Sequence, residues 1–138
     1  LAEYEKLAHE VTGTVTDLEE HLFGDKPFAG VLIAEFEGAP VGFALYFHTY
    51  STFLTRPGIY LEDLYVQPNF RGKGFGKALL KQLAASTVQR GYGRVEWSVL
   101  DWNTPSIEFY ERIGARGKPE WLGYRLDGEA LAEFARLG

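Results

Sequence analysis

The sequence predicts a mixed α/β fold built on one sheet, and two observations lead to that prediction. First, a strand pattern over residues 59–66 is followed by a helical pattern over 76–90 and a strand pattern over 95–100. Two strands joined by a helix favour parallel, right-handed pairing. Second, two earlier strand patterns flank a short turn at residues 37–40, which is typical of an antiparallel hairpin. We therefore expect antiparallel strands followed by a parallel pair that separates to admit a ligand.

The elements before residue 59 are predicted as follows. Residues 1–10 have the spacing of an amphipathic helix whose beginning lies before Leu1, and the chain contains no methionine. We therefore expect the true N-terminus to be missing. A short helix is predicted with Thr16 or Asp17 as its N-cap and Gly24 as its stop. The hairpin strands are predicted over 28–36 and 41–50, and residues 51–58, which include Pro57 and Gly58, form a loop.

The elements after residue 59 complete one domain predicted to span residues 1–138. The helix over 76–90 carries an apolar stripe, made of Leu79, Leu80, Leu83, Ala84 and Val88. A second helix is predicted over 105–113, with proline in its first turn and Gly114 past its end. A final strand over 121–126 and a helix over 129–137 close the chain.

Composition excludes several classes of function. The chain has no cysteine, so disulfides, zinc–thiolate sites and a thiol nucleophile are excluded. Its three histidines, His9, His21 and His48, lack ligand spacing, so we expect no metal site. The net charge of −5 disfavours nucleic acid as a partner and would attract a cationic substrate. No apolar run reaches the roughly 18 residues of a membrane span. We expect no membrane partner and a cytoplasmic location.

A glycine-rich segment follows the strand over 59–66 and leads into the next helix. We call Arg71-Gly72-Lys73-Gly74-Phe75-Gly76 the glycine loop. A dinucleotide-binding fingerprint starting at Gly72 would need glycine where Lys77 stands, and a P-loop would need serine or threonine where Ala78 stands. Both motifs fail. Glycines before a helix N-terminus can still cradle an anion, although a simple glycine turn has the same pattern.

A second segment lies just after the strand predicted over 95–100. It reads Asn103-Thr104-Pro105-Ser106-Ile107-Glu108-Phe109-Tyr110, with Gly114-Ala115 following. This segment is similar to a signature of the GNAT acetyltransferases, and the pattern Arg71-x-x-Gly74-x-Gly76 resembles the acetyl-CoA pyrophosphate loop of that family. The two segments also stand in the order that the family uses.

The closer resemblance is to the spermidine/spermine acetyltransferase branch, which also includes diamine and thialysine acetyltransferases, and it covers nearly the whole chain. The matching segments include Leu1-Ala2-x-Tyr4-Glu5, Val41-Gly42-Phe43-Ala44-Leu45-Tyr46, Tyr60-Leu61-Glu62-Asp63 and Trp102-Asn103. That branch begins with a strand and most of a helix before the first of these segments. The resemblance therefore implies that an N-terminal strand is missing from this chain.

The resemblance implies an N-acetyltransferase that uses acetyl-CoA. By this resemblance the cofactor would be bound by Leu64, Tyr65, Val66, Arg71, Gly72, Lys73, Gly74, Phe75, Gly76, Lys77, Asn103, Pro105 and Ser106. Backbone groups of the strand would pair with the pantetheine amides, and the loop would hold the phosphates. Lys73 and Lys77 could equally be solvated surface charges, and Asn103 could serve as a helix N-cap as well.

Two residues resemble the family's catalytic groups. Glu62 resembles the general base, acting directly or through water, and Tyr110 resembles the general acid for the leaving sulfur. Glu62 could instead be a strand-edge charge, and strand alternation would put it and Asp63 on opposite faces. Tyr110 could instead be core packing beside Phe109, although helical spacing puts it on the face of Ser106.

The resemblance implies a small cationic amine as acceptor, bound in an acidic, aromatic groove. The residues that would line this groove are Tyr4, Glu5, Glu62, Asp63, Glu96, Trp97 and Ser98. Asp63 could instead have a purely structural role. The polyamine enzymes carry an acid and a tryptophan after the second hairpin strand, and here residues 50–53 have neither. The acceptor therefore stays open between a polyamine or diamine, a lysine-like amine such as thialysine, and another small amine.

Two expectations concern the protein as a whole. A homodimer is implied by the resemblance and by the apolar surface that a missing strand would leave. A catalytically silent acyl-CoA-binding domain of the same fold is the alternative to an enzyme.

Overall fold

The structure, a computed structural model, describes Leu1 and residues 5–137. Its internal contacts divide the chain into two compact units, Leu1–Leu100 and Asp101–Gly138. The first unit contains helix α1 (Val15–Phe23), strands β1 (Gly30–Phe36), β2 (Ala39–Ser51) and β3 (Arg56–Val66), helix α2 (Phe75–Gln89) and strand β4 (Val95–Trp97). The second unit contains helices α3 (Thr104–Arg112) and α4 (Gly128–Arg136).

The four strands form one sheet in the order β1-β2-β3-β4. Strands β1 and β2 pair antiparallel, as do β2 and β3, whereas β3 and β4 pair parallel across the α2 crossover. The predicted mixed sheet is therefore confirmed. Its order follows from the chain, because tight turns join the antiparallel strands and only the parallel pair needs a helix between its members.

The core of the first unit lies between α2 and one face of the sheet. Three leucines of α2 are buried, at positions 79, 80 and 83, and so are four apolar residues of β2 and β3: Val41, Ala44, Ile59 and Leu61. Burying a leucine or isoleucine side chain stabilises the fold by about 1.5–3 kcal/mol. This packing fixes β3 and the start of α2 relative to each other, and the glycine loop connects them.

The buried stripe of α2 differs from the predicted one. Thr87 is buried in place of Ala84 and Val88, and Val88 is 78% exposed. The Thr87 hydroxyl donates to the Leu83 carbonyl at 2.8 Å, which satisfies its polar group inside the helix. The prediction favoured apolar side chains at these positions and did not allow for a hydroxyl that bonds its own helix.

The predicted elements at the N-terminal end need two corrections. Residues 5–10 do not continue a helix: Lys6 has φ of 63°, which interrupts a right-handed helix, and only Ala8–Glu10 forms a 3₁₀ turn. Helix α1 is capped by Thr14, whose hydroxyl oxygen accepts from the Asp17 N–H at 3.1 Å, rather than by Thr16 or Asp17. The predicted end at Gly24 is confirmed.

The predicted strand over 121–126 is wrong. No strand is assigned there, and Trp121, Leu122, Tyr124 and Leu126 are all at least half exposed. Residues of this kind favour strands only where a neighbouring strand supplies hydrogen bonds and a face to pack on. Within the described part of Asp101–Gly138 there is no other strand.

Candidate active site

The parallel strands β3 and β4 pair along only a short stretch before they separate. Strands β3 and β4 pair at Ile59–Val95, Tyr60–Glu96 and Leu61–Trp97. Beyond that last pair β4 ends, while β3 continues to Val66. We call the gap beyond the Leu61–Trp97 pair the strand opening. Along it, the backbone of residues 64–66 is placed to pair with an extended ligand as an added strand would.

Glu62 occupies a β-bulge at the start of the strand opening. Tyr46 of β2 pairs with Leu61, and the preceding Leu45 pairs with Asp63, so Glu62 has no partner in the β2–β3 register. A bulge changes which side chains share a face. Strict alternation, which we used to place Glu62 and Asp63 on opposite faces, therefore does not hold here. Bulges are frequent beside active sites because they re-aim a side chain.

The two neighbouring carboxylates differ in environment. The Glu62 side chain is exposed, whereas Asp63 is half-buried. Burial raises the pKa of the Asp63 carboxyl, because removing water disfavours the charged form. Ionisation of Asp63 therefore lowers the free energy of unfolding relative to the protonated form.

Replacing Asp63 by asparagine is expected to raise the melting temperature at pH 7. The folded-state pKa lies above the ordinary value of 3.8, so ionised Asp63 destabilises the fold above its folded-state pKa and no longer does so below 3.8. Asparagine is neutral throughout, so its advantage should disappear as the pH falls through that window. Thermal melts from pH 3 to pH 8 check this, with Asp25→Asn at an exposed position as control. A lower melting temperature at pH 7 would show that favourable interactions of the carboxylate outweigh the cost of its burial.

The glycine loop has the backbone of an anion cradle. Gly72 and Gly74 have φ of 76° and 90°, a region that other residues rarely adopt, and the space beside both Cα atoms is open. Gly74 is also the N-cap of α2. A glycine N-cap leaves the first N–H groups of the helix, from Gly74 to Lys77, without a competing side chain. These donors and the positive end of the helix dipole suit a phosphate.

Side chains hold both ends of the loop. Rings of Phe36, Phe70 and Phe75 pack with centroids 5.8–6.1 Å apart, so a residue of β1 contacts both flanks of the loop. The Arg71 Nε donates to the Val66 carbonyl at 2.9 Å, and the guanidinium lies over the Tyr65 ring. Arg71 therefore shapes the loop in addition to adding charge. Phe36 was missed by the sequence analysis, because nothing in its local pattern signals so distant a contact.

The residues predicted to line the acceptor groove have different surroundings. Glu96 forms an ion pair with Arg94 at 3.1 Å, Trp97 is half-buried at the last β3–β4 pair, and Ser98 contacts the Tyr60 hydroxyl at 2.7 Å. Glu5 is half-buried in a turn. Tyr4 lies outside the described residues.

The remaining predicted residues belong to the second unit. Asn103 is buried and is the N-cap of α3, where its Oδ1 accepts from the Ser106 N–H at 3.4 Å. Pro105 occupies the first turn. Ser106 and Tyr110 are half-buried and lie on one face of α3 by helical spacing, and the Tyr110 ring packs against Phe109 at 5.6 Å. The N-cap role expected for Asn103 is thus present.

Comparison with known proteins identifies the protein family to which this chain belongs. Residues 2–115 match the model of the acetyltransferase (GNAT) family. The chain belongs to this family, whose members use acetyl-CoA as acetyl donor, and it is an acetyltransferase. The glycine loop fits that cofactor, because its open glycines and the exposed helix donors match a pyrophosphate.

Individual relatives indicate which members of the family this chain resembles. The chain is 39% identical to thialysine N-epsilon-acetyltransferase of Mus musculus, with 98% of this chain and 85% of the relative covered. It is 40% identical to L-ornithine N5-acetyltransferase of Arabidopsis thaliana, with 94% of this chain and 54% of the relative covered. Among solved structures, an integron cassette protein of V. cholerae has a TM-score of 0.81 at 27% identity, covering 96% of this chain and 85% of the other.

The described residues contain no helix that is both long and apolar enough to cross a membrane.

Proposed function

We propose that this enzyme acetylates the side-chain amine of a small basic amino acid of the thialysine or ornithine type, by direct attack in a ternary complex. The relatives named for these two acceptors support this class. Both acceptors carry a primary amine at the end of a short, flexible side chain. Neither needs the long acidic groove that an extended polyammonium chain would occupy.

The observation that carries the proposal is the position of Glu62. Its exposed carboxylate stands on a bulge at the start of the strand opening, next to the backbone segment suited to the cofactor. The half-buried Asp63 adds a second acid at the same place. A cationic amine drawn to these charges would meet the reactive end of the cofactor.

Residues of this chain would carry out the proton transfers that the reaction requires. Acetyl-CoA supplies the acetyl group as a thioester. A free alkylamine has a pKa of about 10.4, so the ammonium must lose a proton before its nitrogen can attack. By the family resemblance, Glu62 would accept that proton, directly or through water, before the nitrogen attacks, and the Tyr110 hydroxyl would donate a proton to the leaving sulfur. The nitrogen must lose a second proton to become an amide, and that proton would be available to restore the Tyr110 hydroxyl.

The cofactor would be held along three segments. The strand backbone at Leu64, Tyr65 and Val66 would pair with its amides, and residues 71–77 would bind its phosphates. By the family resemblance alone, Asn103, Pro105 and Ser106 would contact the pantetheine arm of the cofactor. Lys73 and Lys77 are exposed and would add positive charge at the phosphates.

The turn between β2 and β3 argues against a long polyamine. It has neither an acid nor a tryptophan, and it is followed by Arg56, whose guanidinium donates to the Gly91 carbonyl at 2.9 Å. A fixed positive charge at this turn would repel an ammonium group. A short amino acid would not have to reach it.

Release of free thiol from acetyl-CoA across an amine panel tests the proposal. Thialysine, ornithine and lysine should give kcat/KM values at least roughly tenfold above those of putrescine, spermidine and spermine, as expected for about 1.4 kcal/mol of selectivity. Ornithine with its side-chain amine blocked is the control and should be inert. Spermine as the best acceptor would refute the acceptor class. If acetyl-CoA binds but no amine increases the release of thiol, the alternative function, a catalytically silent acyl-CoA-binding domain, would be supported instead.

We also propose that residues 1–138 act as one domain and that two copies form a dimer. Both proposals rest on the family resemblance.

A further inference from the structure

We infer that Tyr60 is a positioning residue that sets the geometry of the strand opening through its hydrogen bond to Ser98. This inference rests on the proposed function, because it concerns how the amine is aligned beside Glu62. The Tyr60 hydroxyl and Ser98 Oγ are 2.7 Å apart, although the two residues are 38 positions apart in the chain.

The bond reaches from Tyr60, inside the paired part of β3, to Ser98, the first residue beyond the last β3–β4 pair. Tyr60 pairs with Glu96, and Leu61–Trp97 is the last pair. Ser98 follows Trp97, so it stands across the strand opening from Glu62. Beyond the Leu61–Trp97 pair no backbone pair is found between these two described segments, and the Tyr60 side chain holds Ser98 beside β3.

The register puts this link on the same face of the sheet as Asp63. Tyr60 pairs with Phe47, and Asp63 pairs with Leu45. Phe47 and Leu45 are two apart on β2, so their partners project to one face despite the bulge between them. Ile59 and Leu61, which flank Tyr60, are buried in the core on the other face.

The Tyr60 ring is itself held in place. It stacks on Phe47 with centroids 5.0 Å apart and an interplanar angle of 26°. A ring fixed from one side presents its hydroxyl in one direction, which makes the bond to Ser98 a defined contact. The bond therefore restrains residues 98–100, which form one wall of the strand opening.

Loss of this restraint should affect reaction geometry more than cofactor binding. Misplacing reacting groups by about 1 Å can slow a reaction by up to roughly 10²-fold. One hydrogen bond is a smaller perturbation, so Tyr60→Phe and Ser98→Ala should each lower kcat roughly three- to tenfold. The dissociation constant for acetyl-CoA should change less than twofold, because the glycine loop and residues 64–66 are untouched.

The double variant provides the sharper test. If the two residues act only through their mutual bond, Tyr60→Phe with Ser98→Ala should be no slower than either single variant. Tyr92→Phe is the matched control, since it removes a tyrosine hydroxyl from a half-buried ring that contacts His48. It should leave kcat unchanged.

Hydrogen exchange gives a readout that does not depend on turnover. Backbone amides in the last β3–β4 pairs, Tyr60–Glu96 and Leu61–Trp97, should exchange faster in Tyr60→Phe and in Ser98→Ala, but not in Tyr92→Phe. Ser98→Thr keeps a hydroxyl and should preserve most of the protection. Multiplicative losses in the double variant, or unchanged exchange at these pairs, would overturn the inference. Failure of the amine panel would instead refute the proposed function and leave the exchange test intact.

Discussion

Replacing Tyr110 by phenylalanine is expected to lower kcat by roughly 10²–10⁴-fold, the usual contribution of a general acid. The ring and its packing against Phe109 are retained, so the affinity for acetyl-CoA should hardly change. Steady-state kinetics with the best amine of the panel and a thermal melt of the same variant provide the measurement.

Two other outcomes would identify other roles for Tyr110. A residue that serves only as packing would leave both kcat and the melting temperature unchanged. A structural hydrogen bond would lower stability by about 1 kcal/mol, with normal turnover in the folded fraction. Tyr124→Phe is the control, because that ring is 93% exposed in the same unit. Unchanged kcat, measured where chemistry limits turnover, would rule out the acid role.

Glu62→Gln should produce the second large effect, a loss of roughly 10²–10⁴-fold in kcat near neutral pH. Glutamine keeps the size of the side chain but cannot accept the ammonium proton. At higher pH the solution itself deprotonates the amine, so activity should recover by about tenfold per pH unit until the amine pKa of about 10.4 is approached. A pH–rate profile of the variant beside the wild type measures this recovery.

The alternative role of Glu62 is to hold the amine by charge alone. In that case kcat would stay near the wild-type value while KM for the amine rose, and the pH profile would keep its shape. Glu35→Gln, an exposed acid on β1 at the far edge of the sheet, controls for the change in net charge. The melting temperature should be unaffected in both variants, because both side chains are exposed.

Much of the sheet could be predicted because its signals are local. The hairpin turn, the glycine loop and the helical crossover each lie within a short stretch, and together they determine the order β1-β2-β3-β4. The residue types of the glycine loop allowed either an anion cradle or a simple glycine turn, and the family resemblance favoured the cradle. The positive φ of Gly72 and Gly74 is the conformation that the pattern indicated.

Features that depend on contacts between strands could not be predicted in this way. Strand β4 is shorter than the predicted 95–100, because its extent is set by how far it can pair with β3. The bulge at Glu62 leaves no trace in the alternation of Tyr60 to Val66, since it depends on the register against β2. The Tyr60–Ser98 bond likewise joins residues that no local pattern connects. Residues 121–126 show the opposite error, with apolar side chains that suggested a strand where none forms.

The bulge at Glu62 also has a consequence for how this enzyme could evolve. A side chain that belongs to no cross-strand pair can be exchanged without breaking the pairs on either side, Tyr46–Leu61 and Leu45–Asp63. Mutations at this position should therefore alter chemistry with little loss of stability, whereas mutations of Leu61 disturb the core. Selection could therefore vary the proton-accepting group at position 62 while the scaffold stays constant.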